Sequence, residues 1–322
     1  MPKKRLSSSK SKTGRTPLGR KKRDPIEVAG ISKATSSKSN KKNTDEHHQK
    51  KSGSFGFVGI SVTGGKADRN FLSVLEYFPE HKKIFLSKIF DKIKGDDQSS
   101  ADLKIFDLLK QIKPEIIAVD NAVNFPLCLT CQLQCPGYED CKESHIVWMW
   151  KNFKKNSKGK KPKKIFTPYT QRSVEQYFMH ELEQSFILPH AMGANSAPLL
   201  ARVQFLQKRL GLAFAEISPA AVVWRLGLQL GLMKSQLKNH RHSVHGENDR
   251  RLFLQALLEQ KWCFIYDQDL QMMIENYHAF ESFICALTAY LKFTQQTEPR
   301  PKDFPEKEDW IELPVKNIKI AV

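Results

Sequence analysis

The clearest pattern in the chain is an apolar run at residues 115–120, Glu-Ile-Ile-Ala-Val-Asp, which ends on a carboxylate and leads into Asn121-Ala-Val-Asn-Phe-Pro126. A short apolar run bounded by Pro114 and a turn reads as a strand buried on both faces, with its last residue at a sheet edge. Upstream, residues 54–62, 71–78 and 83–90 are strand-like, and Gly64-Gly65 supplies a tight turn, which predicts a three-stranded meander. Residues 101–113 then set Leu103, Phe106, Leu109 and Ile112 on one helical face and stop at Pro114. Downstream, helices are predicted from Gln171 with Thr170 as cap, over 194–210 with Gly211 as the stop, from Pro219 to Leu226, and over 247–258. A short strand is expected at 213–217. Residues 277–293 form an apolar helix that must be buried.

This order, β-β-β-α-β-α-β followed by helices, is the connectivity of the ribonuclease H-like fold. The expected class is α/β, a mixed sheet of about five strands with flanking helices. Parallel crossovers keep one hand and leave the first strand beside the fourth, so the ends of both face one cleft. Residues 53–314 read as that domain, with an insertion at about 127–189, a tail at 1–52 and a short C-terminal tail at 315–322.

Charge refines this picture. With 322 residues and 40% hydrophobic content the chain can bury one full-sized core, while its formal charge is +18. Residues 1–52 hold 16 Lys/Arg against four acids, and residues 151–164 hold eight Lys and no acid, so the rest is close to neutral. The Ser/Lys/Thr-rich tail lacks the apolar residues that would offset ordering and is expected to be disordered. Tail and Lys-rich loop together suggest nucleic acid as a partner, bound in a salt-sensitive manner, although a solubilising tail or a targeting address has the same composition. No apolar segment follows the first residues and no later run could span a bilayer, so the expected protein is soluble and intracellular, cytoplasmic or nucleoid-associated, with no membrane partner. Oligomeric state leaves no trace in the pattern.

Four positions should converge at the cleft: Ser61 after the first strand, Asp120 after the fourth, Glu216 in the fifth and Glu281 in the last helix. Nucleases of this fold gather acids because two Mg²⁺ or Mn²⁺ ions must activate water and stabilise the leaving oxygen. Asp120, Glu216 and Glu281 are the candidate catalytic residues, Asp120 and Glu281 the candidate ligands, and His278, one turn from Glu281, a candidate to tune or replace one.

The chain resembles domain-of-unknown-function family 429, whose members are classed as ribonuclease H-like nucleases. The matching segments are Val58-Gly-Ile-Ser-Val-Thr-Gly-Gly-Lys66, Ile117-Ala-Val-Asp-Asn-Ala-Val123, Cys135-Pro-Gly-Tyr-Glu-Asp-Cys141, Phe166-Thr-Pro-Tyr-Thr-Gln-Arg172, Glu216-Ile-Ser-Pro219 and Phe280-Glu-Ser-Phe-Ile-Cys-Ala-Leu-Thr-Ala289. They run over about residues 56–313. The resemblance implies a divalent-metal nuclease and an Arg172 that faces the site and binds phosphate. Two departures stand out: the family carries Asp where this chain has Ser61, and Asp where it has Glu281. Loss of the first acid removes charge from the site, and Asp68 beyond the Gly-Gly turn is the nearest substitute in sequence. Three readings stay open: an impaired nuclease, a nucleic-acid-binding protein that has lost catalysis, and a phosphate- or ATP-binding protein using Thr63-Gly-Gly-Lys66. In the last, Ser61 and Lys66 would meet the phosphate.

Cys128, Cys131, Cys135 and Cys141 crowd four thiols into fourteen residues. In an intracellular protein this favours metal over disulfides, as a structural Zn²⁺ or an Fe–S cluster, with His145 as a spare ligand and reduced free thiols as the alternative. Cys263 and Cys285 lie in apolar stretches and read as core residues. His240, His242 and His245, in a polar turn, read as a solvated loop, and His47 and His48 belong to the tail. Trp148 and Trp150 suit either base stacking or packing.

Overall fold

The computed structural model describes residues 53–64, 69–157 and 166–319. The basic tail, Lys66, Asp68, His47, His48 and residues 158–164 of the Lys-rich loop lie outside the described residues.

Among the described residues, six strands form one mixed sheet in the order β3-β2-β1-β4-β5-β6. β1 (Phe55–Ser61), β2 (Asn70–Phe78) and β3 (Lys83–Ile93) make the antiparallel meander. β4 (Ile116–Val119) then pairs parallel to β1, and β5 (Ala215–Ile217) parallel to β4. β6 (Ile311–Glu312) adds a parallel sixth strand, one more than the pattern suggested. Two residues are too few to leave a periodic signal, so only pairing with β5 reveals it.

Alternation along the strands builds the two faces. Val58 and Ile60, with Ile117 and Val119, point to a cluster shared with Ile105 and Leu109 of α1 (Ala101–Ile112) and Val203 and Leu206 of α5 (Ala197–Leu210). Phe57 and Ala118 point the other way, into a larger cluster with α6 (Pro219–Gln229), α7 (Gly246–Glu259), α8 (Asp267–Glu275) and α9 (Tyr277–Phe293). The sheet is thus sandwiched between helices, and central strands buried on both faces explain why β1 and β4 read as continuous apolar runs. Ile318 joins the second cluster, so packing extends past residue 314, where a tail was expected.

Local chemistry sets the helix ends. Ser100 Oγ accepts from Leu103 N–H at 3.2 Å and Lys113 closes α1 in the left-handed region at φ 51°. Gly211 ends α5 at φ 68°. Asn276 caps α9, its Oδ1 accepting from His278 N–H at 2.9 Å and Ala279 N–H at 3.4 Å. α8 was not foreseen: its apolar stripe, Leu270, Met273 and Ile274, spans little more than one turn of a nine-residue helix. The connection from β4 to β5 carries α2 (Leu127–Thr130), α3 (Ser144–Ser157) and α4 (Ser173–His180) before α5 returns to the sheet. α4 begins at Ser173, after a turn closed by Thr170 N–H donating to Thr167 O at 2.9 Å, rather than at Thr170. Among the described residues no helix is long and apolar enough to cross a membrane.

Candidate functional site

β1 and β4 run side by side, Ile60 opposite Val119, so Ser61 and Asp120 emerge together at the C-terminal edge of the sheet. α9 crosses their inner face at very short range. A side chain at Gly59 would collide with the backbone of Ser282 and Ala286, so glycine permits the approach that brings the first turns of α9 to the strand ends. The cap at Asn276 fixes where the helix starts, which places His278 and Glu281, three residues apart, on one face.

Ser61 Oγ–H donates to Asp120 Oδ2 at 2.6 Å and lies 2.9 Å from His278 Nδ1. Asp120 Oδ1 accepts from Val62 N–H at 3.0 Å and from the Asn121 amide at 2.6 Å. Asp120, His278 and Glu281 each present a ligand atom within 4.8 Å of the others, and among the described residues no other three His, Cys, Asp or Glu side chains gather so tightly. Ser61 and Glu281 are fully buried behind a cleft of about 790 Å³, whose lining includes Asp120, Asn121, His278, Tyr277 and the cations Arg69, Lys92, Lys238 and Arg241.

The carboxylates differ in environment. Burial, reinforced by the charge of Glu281, pushes Asp120 up to about 6, against the hydrogen bonds from Ser61 and Val62. Burial also works to raise Glu281, but hydrogen bonding from His240 and the charge of Arg241 outweigh it and hold that carboxyl below its ordinary value. His240 Nε2 is 2.8 Å from Glu281 Oε1, and the Arg241 guanidinium grips both oxygens, its NH2 group 2.9 Å from Oε2. Burial lowers His278, which favours the neutral imidazole.

Sequence reasoning missed His240. It is 3% exposed rather than solvated, held by Arg250 donating to its backbone carbonyl and by the Phe280 ring. Nothing in the polar stretch around it carries that signal, because the partners come from α7 and α9. His242 and His245 are exposed and stacked on each other, 5.1 Å between ring centres.

Glu216 and Arg172 line the same cleft but hold each other. The guanidinium meets Glu216 in two parallel bonds of 2.5 and 2.6 Å, and its Nε donates to Glu175 at 3.2 Å, with all three side chains buried. Glu216 also accepts from Val123 N–H at 3.1 Å, tying β5 to the segment after Asp120. The fork expected to bind phosphate is therefore occupied by carboxylates, and the pair braces the floor of the site.

Cys128 and Cys141 are half-buried, Cys131 and Cys135 exposed, and all are free thiols. Burial raises the Cys128 thiol, with added effects of Cys135, Cys141 and Cys131, so the four are electrostatic neighbours. His145 is buried at the start of α3, with Nε2 lacking a partner among the described residues. Trp150 packs edge-on against Phe166 at 4.8 Å and Trp148 against Phe304 at 5.2 Å, so both serve packing. Cys263 and Cys285 are buried in the core.

Comparison of the chain with family models, with curated proteins and with solved structures finds no match.

Proposed function

We propose that this protein is a nuclease-type hydrolase on a ribonuclease H-like scaffold, cleaving phosphodiester bonds with a divalent cation held by Asp120, His278 and Glu281. The observation that carries the reading is the gathering of those three ligand atoms within 4.8 Å at the ends of two adjacent parallel strands. The strand order, an antiparallel meander followed by parallel additions on the β1 side, supports the scaffold.

The donor set fits one cation better than two. Ser61 stands where family 429, which the sequence resembles, carries an acid, and it is already committed to Asp120. An imidazole among the ligands moves preference from Mg²⁺ towards Mn²⁺, since Mg²⁺ favours an all-oxygen shell. When bound, such a cation would lower the pKa of a coordinated water and neutralise charge on the scissile phosphate. The protein's own groups do the rest. Ser61, Val62 and Asn121 fix the Asp120 carboxylate, His240 orients Glu281, and Arg69, Lys92 and Lys238 offer charge along the cleft for a sugar-phosphate backbone. The basic tail and the Lys-rich loop would add sequence-independent attraction.

A second reading has its own observation. Arg241 takes both oxygens of Glu281, so a protein that keeps the fold and binds nucleic acid without cutting it would look the same. The phosphate-turn alternative rests on residues 63–66, of which 65 and 66 lie outside the described residues.

Cleavage of labelled single-stranded, duplex and branched DNA and RNA with Mg²⁺ or Mn²⁺ decides between them, comparing the natural protein with Asp120→Ala and Ser61→Asp. Activity in the natural protein that disappears in Asp120→Ala establishes the nuclease. Silence in the natural protein with activity in Ser61→Asp identifies a retired nuclease that binds. Cleavage unaltered by Asp120→Ala removes the site assignment.

A further inference from the structure

The cysteine segment takes no part in the cleft chemistry, yet its geometry is organised in two pairs. Cys128 sits in α2 and Cys131 is the residue that ends it, three positions apart and so on one side of a single helical turn. Cys135 and Cys141 flank a turn built on Pro136-Gly137. Gly137 adopts φ 91°, which other residues rarely tolerate, and Asp140 N–H donates back to Gly137 O at 3.3 Å. Trp150 Nε1–H anchors the same turn through Tyr138 O at 2.9 Å. One member of each pair, Cys128 and Cys141, packs on the cluster of Ile146, Met149 and Phe166. The other members, Cys131 and Cys135, are exposed and near neighbours in sequence.

Between Cys131 and Glu143 there is neither helix nor strand; Tyr138 and Cys141 pack on the aromatic cluster, while the stretch between Cys131 and Cys135 is exposed, Leu133 to 64%. We propose that Cys128, Cys131, Cys135 and Cys141 form a tetrathiolate site for one zinc-class divalent cation, which staples the segment after β4 onto the aromatic cluster below it. Zinc takes four thiolates at about 2.3 Å, which sets the sulfurs about 3.8 Å apart. No three of the four sulfurs lie within 4.8 Å of one another here, so loading draws the exposed Cys131 and Cys135 inward onto the half-buried pair. The thiol protons leave to solvent as the cation binds. The two pairs, one on a helical turn and one across a Gly turn, are the arrangement that lets a short chain surround one ion.

The full chain, purified without chelators and reconstituted with Zn²⁺, tests this by metal analysis combined with thiol titration of the folded protein. In an Asp120→Ala background, which disables the cleft as a second site, one zinc per chain is expected, with all four thiols protected until a chelator strips the metal. Adding Cys131→Ser/Cys135→Ser, both at exposed positions, should remove that zinc while leaving the circular dichroism spectrum unchanged. Immediate reaction of Cys131 and Cys135 in the zinc-treated protein overturns the proposal. So does iron with inorganic sulfide in place of zinc. Zinc kept by the double cysteine variant with Asp120 intact but lost from Asp120→Ala would place the ion in the cleft and overturn it equally.

Discussion

Glu281 has no exposed surface and carries a charge, so its partners determine how it behaves. His240 and Arg241 supply them from a segment forty residues upstream, and Arg241, partly exposed, can withdraw. A cation entering between Asp120, His278 and Glu281 has to compete with that guanidinium. Arg241→Ala is therefore expected to bind Mn²⁺ about tenfold more tightly, a gain of about 1.4 kcal/mol, when measured by calorimetry. The same variant, without the ion, should be less stable, because a buried carboxylate loses a charged partner. Unchanged Mn²⁺ affinity would show that Arg241 does not guard the site. At this scale Asp120 and Glu281 were legible in the sequence, one as the charged end of an apolar run and the other as the acid in an apolar helix. His240 was not, because its burial comes from Arg250 and Phe280, and neither leaves a mark beside it.

The element that positions the site is α9. It packs on β1, β2 and β4, and the missing side chain at Gly59 lets its backbone lie against the strand. Gly59→Ala should force helix and strand apart, costing about 2–3 kcal/mol and moving His278 and Glu281 off Asp120. Chemical denaturation gives the first quantity, and loss of Mn²⁺ binding in the folded variant gives the second. A variant with natural stability would mean that the contact is looser than it looks. α1 and α5 were readable from their apolar stripes, and the first four strands from their apolar runs and the turns that bound them. α8 and β6 were hidden by shortness, the first with nine residues and an apolar stripe of little more than one turn, the second with two residues.

Across the molecule, the buried network of Arg172, Glu175, Glu216 and Glu308 joins β5, α4 and the C-terminal segment. One guanidinium cannot neutralise three carboxylates. Burial accordingly lifts Glu175 to about 7 and Glu308 to about 7, against the charge of Arg172. An acid whose folded pKa is raised binds its proton more tightly in the native state than in the unfolded chain. Its contribution is thus fully present below about 4.5, is lost as pH rises towards 7, and stays lost above. Glu175→Gln keeps the shape and removes the titration. Its stability relative to the natural protein should rise between pH 5 and pH 8, as read by urea denaturation at several pH values, and a difference independent of pH would contradict the assignment. The sequence disclosed Glu216 and Arg172 as residues of interest, but their mutual pairing depends on a fold that brings positions 44 apart into contact.

The sequence by itself determined the order of the first five strands and of α1, α4, α5, α6, α7 and α9, the candidate cleft at the ends of the first and fourth strands, the acids at 120 and 281, and the grouping of four thiols. These are local properties: period, capping and composition are carried by neighbouring residues. Only the tertiary structure decided that His278 completes the set with Asp120 and Glu281, that Arg241 and His240 hold Glu281, that Arg172 is bound to Glu216, and that a sixth strand closes the sheet. Each of these rests on contacts between residues far apart in the chain, and no local pattern encodes which distant group will stand beside a buried charge.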